Sequence, residues 1–192
     1  MPRAAIAALL AAIVSACAAI PRELPRVDPA AATAFGLEGR INLRVPKEVF
    51  PGRVRWQHAD TFDELWFFSP LGSTVAHLSR DAQGARLVTA EGREYQSTDL
   101  HRLAYDVLGW DLPLEGLPYW VRGLPWPQAG AGREERDAMG RLTRLEQAGW
   151  QVSVLDWSPA GVQGLPSRLD LVGERLRIRL LVERWSVDAG PR

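Results

Sequence analysis

The segment Arg175-Leu176-Arg177-Ile178-Arg179-Leu180-Leu181-Val182 alternates with a period of two. Leu176, Ile178, Leu180 and Val182 fall on one side of an extended chain, and Arg175, Arg177, Arg179 and Leu181 on the other. That is the pattern of a strand with one face on a core and one toward water. The same alternation recurs along the chain. Ile41, Leu43 and Val45 share a face opposite Asn42 and Arg44, while Val54 and Trp56 alternate with Arg53, Arg55 and Gln57. Leu65-Trp66-Phe67-Phe68 is apolar on both faces, which predicts a strand covered on both sides. Further strands are read at 74–80, 85–90, 94–97, 141–147, 150–157 and 167–173. Asp81-Ala82-Gln83-Gly84, Glu91-Gly92 and Gly173-Glu174 are turn signals between them. Connections this short join antiparallel neighbours.

Two helices interrupt the strands. From Thr98 to Leu108, Leu100, Leu103, Ala104, Val107 and Leu108 form a one-sided stripe. Thr98 is read as the N-cap, Asp99 as first-turn acid and Gly109 as the stop. A shorter helix is read from Leu114 to Arg122, with Pro118 near its start and Gly123 at its end. Residues 126–140 are polar and glycine-rich and read as loop. The fold is therefore mainly β (α+β), an antiparallel meander of about ten strands with two helices in the middle. A sheet that large curls. Its helices must bury their stripes on the concave face, giving an open or incomplete barrel with a helical lid. Eight tryptophans supply apolar area for a core or a cavity wall.

The chain begins with a targeting pattern. Met1-Pro2-Arg3 is positive and Ala4 to Val14 is apolar, too short for a spanning helix of roughly 20 residues. The run ends in Val14-Ser15-Ala16-Cys17, which resembles a lipobox, where the signal is cut before a cysteine that takes a lipid. Cys17 is the single cysteine, so no disulfide can form within a monomer. Residues 1–16 are read as the signal, 17–34 as lipidated cysteine and flexible tether, and 35–192 as the domain. Ala18, by the sorting rule of lipoproteins, implies the outer membrane. Formal net charge is zero, so long-range attraction to nucleic acid or to an anionic membrane is not expected. No cofactor is expected beyond the lipid on Cys17.

Three stretches resemble the LolB family. They are Phe67-Phe68-Ser69-Pro70-Leu71-Gly72-Ser73-Thr74, then Leu112-Pro113-Leu114 with Tyr119-Trp120-Val121-Arg122-Gly123-Leu124-Pro125, and Leu142 to Trp157 with Gly149-Trp150. The resemblance runs in order from residue 36 to 187. It implies an eleven-strand, strongly curved sheet capped by helices around a hydrophobic cavity. It also implies a function: an outer-membrane receptor, lipid-anchored on the periplasmic face, that takes lipoproteins from the periplasmic carrier LolA. Client acyl chains would shelter in the cavity before insertion into outer-membrane lipid. Such chains hold roughly 40–50 methylenes at about 0.8 kcal/mol each, so exposure to water would cost tens of kcal/mol. The receptor is expected to be a monomer.

Expected cavity residues are Ile41, Leu43, Val54, Trp56, Leu65, Phe67, Leu103, Val107, Trp120, Trp150 and Ile178, although alternation does not separate a cavity wall from a packed core. Pro70-Leu71-Gly72 reads as a turn with an outward leucine, and the resemblance makes Leu71 the residue that delivers clients to the membrane. Arg44, Arg55 and the Arg175/Arg177/Arg179 ladder read as a solvated sheet face, or alternatively as a positive surface for an acidic carrier. Catalysis is not expected: His58, His77 and His101 lack metal-type spacing, and Ser73, His77 and Asp81 do not converge as a triad. A lipocalin-like binder of another lipid and a structural lipoprotein of an assembly complex remain open on residues alone.

Overall fold

Among the described residues (24–108, 113–157 and 159–187) of the computed structural model, eleven strands form one antiparallel sheet. They are β1 (Phe35–Val45), β2 (Glu48–Ala59), β3 (Phe62–Phe68), β4 (Thr74–Asp81), β5 (Gly84–Thr89), β6 (Glu94–Ser97), β7 (Arg133–Arg136), β8 (Leu142–Gln147), β9 (Trp150–Asp156), β10 (Arg168–Val172) and β11 (Arg177–Ser186). The order is β6-β5-β4-β3-β2-β1-β11-β10-β9-β8-β7, two meanders joined where β1 pairs with β11. β6 and β7 are left as free edges, so the curved sheet is an incomplete barrel.

Curvature has a local cause at that joint. The β1–β11 register shifts between Glu38 and Gly39, and a Cβ on Gly39 would lie 2.1 Å from the Leu181 carbonyl oxygen. Only glycine permits this approach, and a bulge there bends the strand toward the concave side. Leu43 of β1 and Ile178, Leu180 and Val182 of β11 are buried as the alternation predicts, Ile41 and Val45 are partly buried, and Leu37 extends the same face.

Helix α1 (Leu100–Leu108) lies over β5 and β6 and buries Leu103 and Ala104. Its N-cap is Asp99, not Thr98: the Asp99 carboxylate accepts from the Arg102 N–H at 3.0 Å, and the Asp99 carbonyl takes the first helical bond from Leu103. The acid read as a first-turn charge thus lies one place earlier and does the capping itself. Gly109 lies outside the described residues. Helix α2 is a single turn, Leu117–Trp120, within the longer span expected. It ends at Trp120 with Val121 as C-cap, before the expected stop at Gly123; the turn that follows is closed by the N–H groups of Gly123 and Leu124 on the carbonyls of Trp120 and Tyr119.

Three further expectations are corrected. The eleventh strand, β7, lies inside the stretch read as loop; Arg-Glu-Glu-Arg is exposed at every position, so it shows no alternation. A charged, fully wet strand is how a sheet edge avoids pairing with other chains. The outer face of β3 is not covered by another layer: Trp66 stacks on His77 across the β3–β4 pair at 4.8 Å, and that ring shields its apolar surface.

The third correction concerns the tether. Cys17 and the signal lie outside the described residues, but residues 25–32 are docked on the domain. Val27 donates to the Gln163 carbonyl at 2.8 Å, and Gln163 donates to that of Pro25 at 2.9 Å. Buried Arg122 donates to the carbonyls of Pro118, Pro29 and Ala32 at 2.7, 3.0 and 3.1 Å. Its ring neighbour is Tyr119, at 5.2 Å. Burial lowers the arginine's proton affinity, and the carbonyl oxygens replace the water it has lost. Nothing in the prolines and alanines of 25–32 signals this, because the partner is a side chain about ninety residues away.

Arg122→Ala should leave those carbonyls without a charged donor and destabilise the protein by about 3 kcal/mol in urea unfolding. Proteolysis between residues 24 and 34 should accelerate in the same variant. Unchanged cleavage would show that the segment is held without Arg122.

Candidate functional site

The concave face does not close into a solid core. Between the first meander and helix α2 lies a cavity of about 320 Å³. Leu37, Ile41 and Leu43 of β1, Val54 and Trp56 of β2, and Leu65 and Phe67 of β3 form one wall. Ala76 and Leu78 of β4 and Leu171, Ile178 and Leu180 of the second meander continue it. Leu114, Leu117 and Val121 cover it from the helical side. The lining is nearly all apolar; the Arg53 guanidinium is turned away to Glu183, 3.1 Å off. Such a wall has little to offer a polar ligand and selects by apolar area.

One buried polar cluster stiffens the wall. Asp63, 5% exposed, accepts from the Trp56 indole N–H at 2.9 Å and lies 2.7 Å from His58 Nδ1. Its second oxygen takes two bonds from the Arg80 guanidinium, one of them at 2.7 Å. Every lone pair of the carboxylate is thereby used, and the indole is fixed with its apolar face to the cavity. Phe35 meets the Trp56 ring edge-on at 5.2 Å.

The β3–β4 hairpin stands at the cavity mouth. Ser69 and Ser73 are paired at 2.8 Å, and the Gly72 N–H closes the turn on the Ser69 carbonyl at 2.9 Å. Gly72 has φ +91°, the left-handed conformation that only glycine takes at little cost. Pro70 fixes the preceding bend, and Leu71 between them is 96% exposed. An aliphatic side chain held almost wholly in water by a tight turn contributes nothing to this fold. Pro70 itself borders the cavity, so the turn is continuous with the mouth.

Seven of the eleven residues expected at the cavity line it: Ile41, Leu43, Val54, Trp56, Leu65, Phe67 and Ile178. Leu65 and Phe67, rather than Trp66, are the inward face of β3. Leu103, Val107, Trp120 and Trp150 do not line this cavity. Leu103 is buried and Val107 partly buried in the packing of α1. Trp120 is fully buried, with its indole N–H on Gln147 at 3.1 Å. Its ring meets that of Trp150 at 6.2 Å. Periodicity marks a buried face and does not tell wall from filler. Leu114, Leu117 and Val121 went unread as wall, although their spacing of three and four puts them on one helical face. Val49, Phe50 and Pro51 also border the mouth and were hidden by the proline that breaks their alternation.

Two rungs of the arginine ladder are ion-paired to one carboxylate. Arg177 and Arg179 both reach Asp170, and Arg55 bonds Glu38 at 3.1 Å. The Arg177 hydrogen bond, against a desolvation cost, holds the Asp170 carboxyl below its ordinary pKa. His77 bonds Glu64 at 3.0 Å and stacks on Trp66. No group of three metal-type ligands occurs among the described residues, and no helix there is long and apolar enough to cross a membrane.

Comparison with known proteins places the chain in a family. The family model described as outer membrane lipoprotein LolB matches residues 33–185. The chain belongs to the LolB family. The outer-membrane lipoprotein LolB of Nitrosomonas europaea is 40% identical over 153 residues, 79% of this chain and 72% of that one. That of an Azoarcus species is 34% identical over 185 residues, 96% of this chain and 95% of its own. Among solved structures, a DUF1329 family protein from Desulfovibrio piger aligns with TM-score 0.54 at 8% identity, covering 85% of this chain and 89% of that one. A LolA superfamily protein from Nitrosomonas europaea aligns with TM-score 0.49 at 8% identity, covering 83% and 88%. The family match covers both the cavity strands and the Leu71 turn.

Asp63→Asn keeps the shape but leaves Arg80 without its counter-charge. A loss of about 3 kcal/mol or more is expected in urea unfolding, together with changed tryptophan emission as Trp56 loses its anchor. Wild-type stability would mean that the cluster does not hold the wall.

Proposed function

We propose that this chain is an outer-membrane lipoprotein receptor, anchored through a lipid on Cys17 at the periplasmic face. It accepts client lipoproteins from the carrier LolA, shelters their acyl chains in the apolar cavity and passes them into outer-membrane lipid. The observation that carries this reading is the apolar cavity opening beside a turn that holds Leu71 in water. Family membership supports the lipoprotein role.

The chemistry required is partition, not bond making. Acyl chains leave one apolar container for another, and each tenfold step in affinity needs only about 1.4 kcal/mol. Leu71 gains roughly 1.5–3 kcal/mol on entering the lipid interface, enough to bias contact and weak enough to reverse.

The test reconstitutes the full chain in vesicles and adds a purified LolA–lipoprotein complex. Clients should leave the carrier and enter the vesicles without a nucleotide. Leu71→Glu should still take clients from the carrier but deliver them at least tenfold more slowly, with unchanged unfolding behaviour. A failure to take clients from a carrier that serves another receptor would sink the receptor reading. Full delivery by Leu71→Glu would sink the role of the turn.

A further inference from the structure

We propose that the bilayer is met by two adjacent hairpin ends, the second being the β1–β2 end from Lys47 to Pro51. This rests on the receptor reading above and extends its contact surface. The last β2–β3 pair is Arg53 with Phe68, so β2 residues before Arg53 run on beside the Ser69–Ser73 turn. The two backbones touch there: a Cβ on Gly52 would lie 2.4 Å from the Phe68 carbonyl oxygen. Val49 and Val75 are each 47% exposed, and Phe50 39%. Val49, Phe50, Phe68, Pro70 and Val75 also border the cavity. An unbroken apolar path therefore leads from the interior to the outermost side chains of both hairpins.

Charge selects the occupant. From Leu65 to Leu78 there is no Asp, Glu, Lys or Arg, so the β3–β4 end enters an apolar interface without burying a charge. Exposed Arg44 and Lys47 flank the β1–β2 end, with Glu48 the one acid beside them. Their long stems allow the cations to sit at phosphate level while Val49 and Phe50 go deeper. The occupant is a phospholipid surface with phosphate headgroups.

Cys17 is the single native cysteine and is blocked by its lipid, so an added cysteine can carry an environment-sensitive fluorophore. The full chain would be labelled at Val49→Cys, Leu71→Cys or, at the other end of the sheet, Asp60→Cys, in vesicles of phosphatidylethanolamine and phosphatidylglycerol. Blue-shifted emission and quenching by lipid-borne quenchers are expected at 49 and 71 but not at 60. Val49→Glu should slow delivery several-fold with Leu71 intact. Shielding at 71 alone overturns this proposal and leaves the receptor reading standing. Shielding at neither overturns the membrane role of the turn as well. Shielding at 49 only when LolA is added makes the β1–β2 end a carrier contact and overturns the lipid assignment.

The docked segment 25–32 carries a second inference: we infer that its release sets the reach of the anchor. It lies where β1 begins, opposite the two hairpin ends, because Val27 bonds Gln163 in the β9–β10 connection and Phe35 opens β1. The eleven residues of β1 span about 36 Å. Whatever its conformation, the chain from Cys17 to Leu24 reaches at most about 25 Å. With the segment docked, an upright domain cannot touch with Leu71 the leaflet that holds its own lipid. With it released, the chain from Cys17 to Phe35 reaches about 60 Å.

Arg26→Cys with Gln163→Cys joins a bridged pair and locks the segment. Oxidation should slow delivery by the lipidated full chain several-fold, with recovery on reduction. In a Cys17→Ser form, which has no anchor, oxidation should change nothing. Equal delivery by locked and reduced lipidated protein overturns the inference, as does an equal loss in the Cys17→Ser form. Leu71→Glu in the reduced protein reports separately on the receptor reading.

Discussion

The pairing of β1 with β11 is the contact on which the cavity depends. Every other pairing in the sheet joins neighbours in sequence through a short or moderate connection. This one brings together segments about 140 residues apart and turns two meanders into one wall. Its closure is entropically costly and slow to find. Ion pairs decorate its outer side, Arg40 and Arg53 on Glu183 and Arg184 on Glu38, but they are exposed and worth little each. The inner side holds it: Leu37, Leu43, Ile178, Leu180 and Val182 are buried, at roughly 1.5–3 kcal/mol apiece. If β11 slipped by one residue, Ile178, Leu180 and Val182 would turn outward together, so register and cavity are one constraint.

The two halves of the concave face are treated differently, and one glutamine shows why. Gln147 accepts from the Trp120 indole and the Trp126 backbone N–H, and its amide donates to the carbonyls of Trp126 and Gly130. Its amide group is fully used, and the helical connection is thereby fastened over β8. Leu142, Leu145, Val152 and Leu169 of the same half are fully buried. Among the described residues, no comparable fastening pulls the connection down over β2 to β4. There Leu114, Leu117 and Val121 stand off the sheet, and the gap is the cavity.

That asymmetry sets what was legible in the sequence. Most strands could be read because they alternate a wet face with a dry one, or, at Leu65-Trp66-Phe67-Phe68, because the run is apolar throughout, and β7 could not because both of its faces are wet. Wall residues of β1 to β3 and β11 could be read as inward, since inwardness is a matter of parity. Trp120 and Trp150 read identically and are filler, because what separates them from wall is Gln147, a polar residue with no periodic signature. Arg122 is similar: a lone arginine after an apolar turn does not announce that it will hold the carbonyls of Pro29 and Ala32. Leu71 was the reverse case. Proline before it and glycine after it fix the backbone so tightly that its exposure follows from local chemistry alone.

On the function proposed for this chain, a receptor that must also let go cannot bind its cargo through directional bonds. The wall offers hydrocarbon, and its nearest polar cluster, around Asp63, has its carboxylate fully engaged by Trp56, His58 and Arg80. Affinity for an acyl chain placed there would scale with the area in contact and fall smoothly as the chain withdrew, with no hydrogen bond to break as a last barrier. The exit is marked by the same physics. Apolar wall grades through Phe68 and Pro70 into Leu71 with Ser69 but no charge between them, so a chain leaving on the proposed route would meet no charged rim. On that proposal, a single charged side chain in that stretch would leave the cavity intact and close its way out.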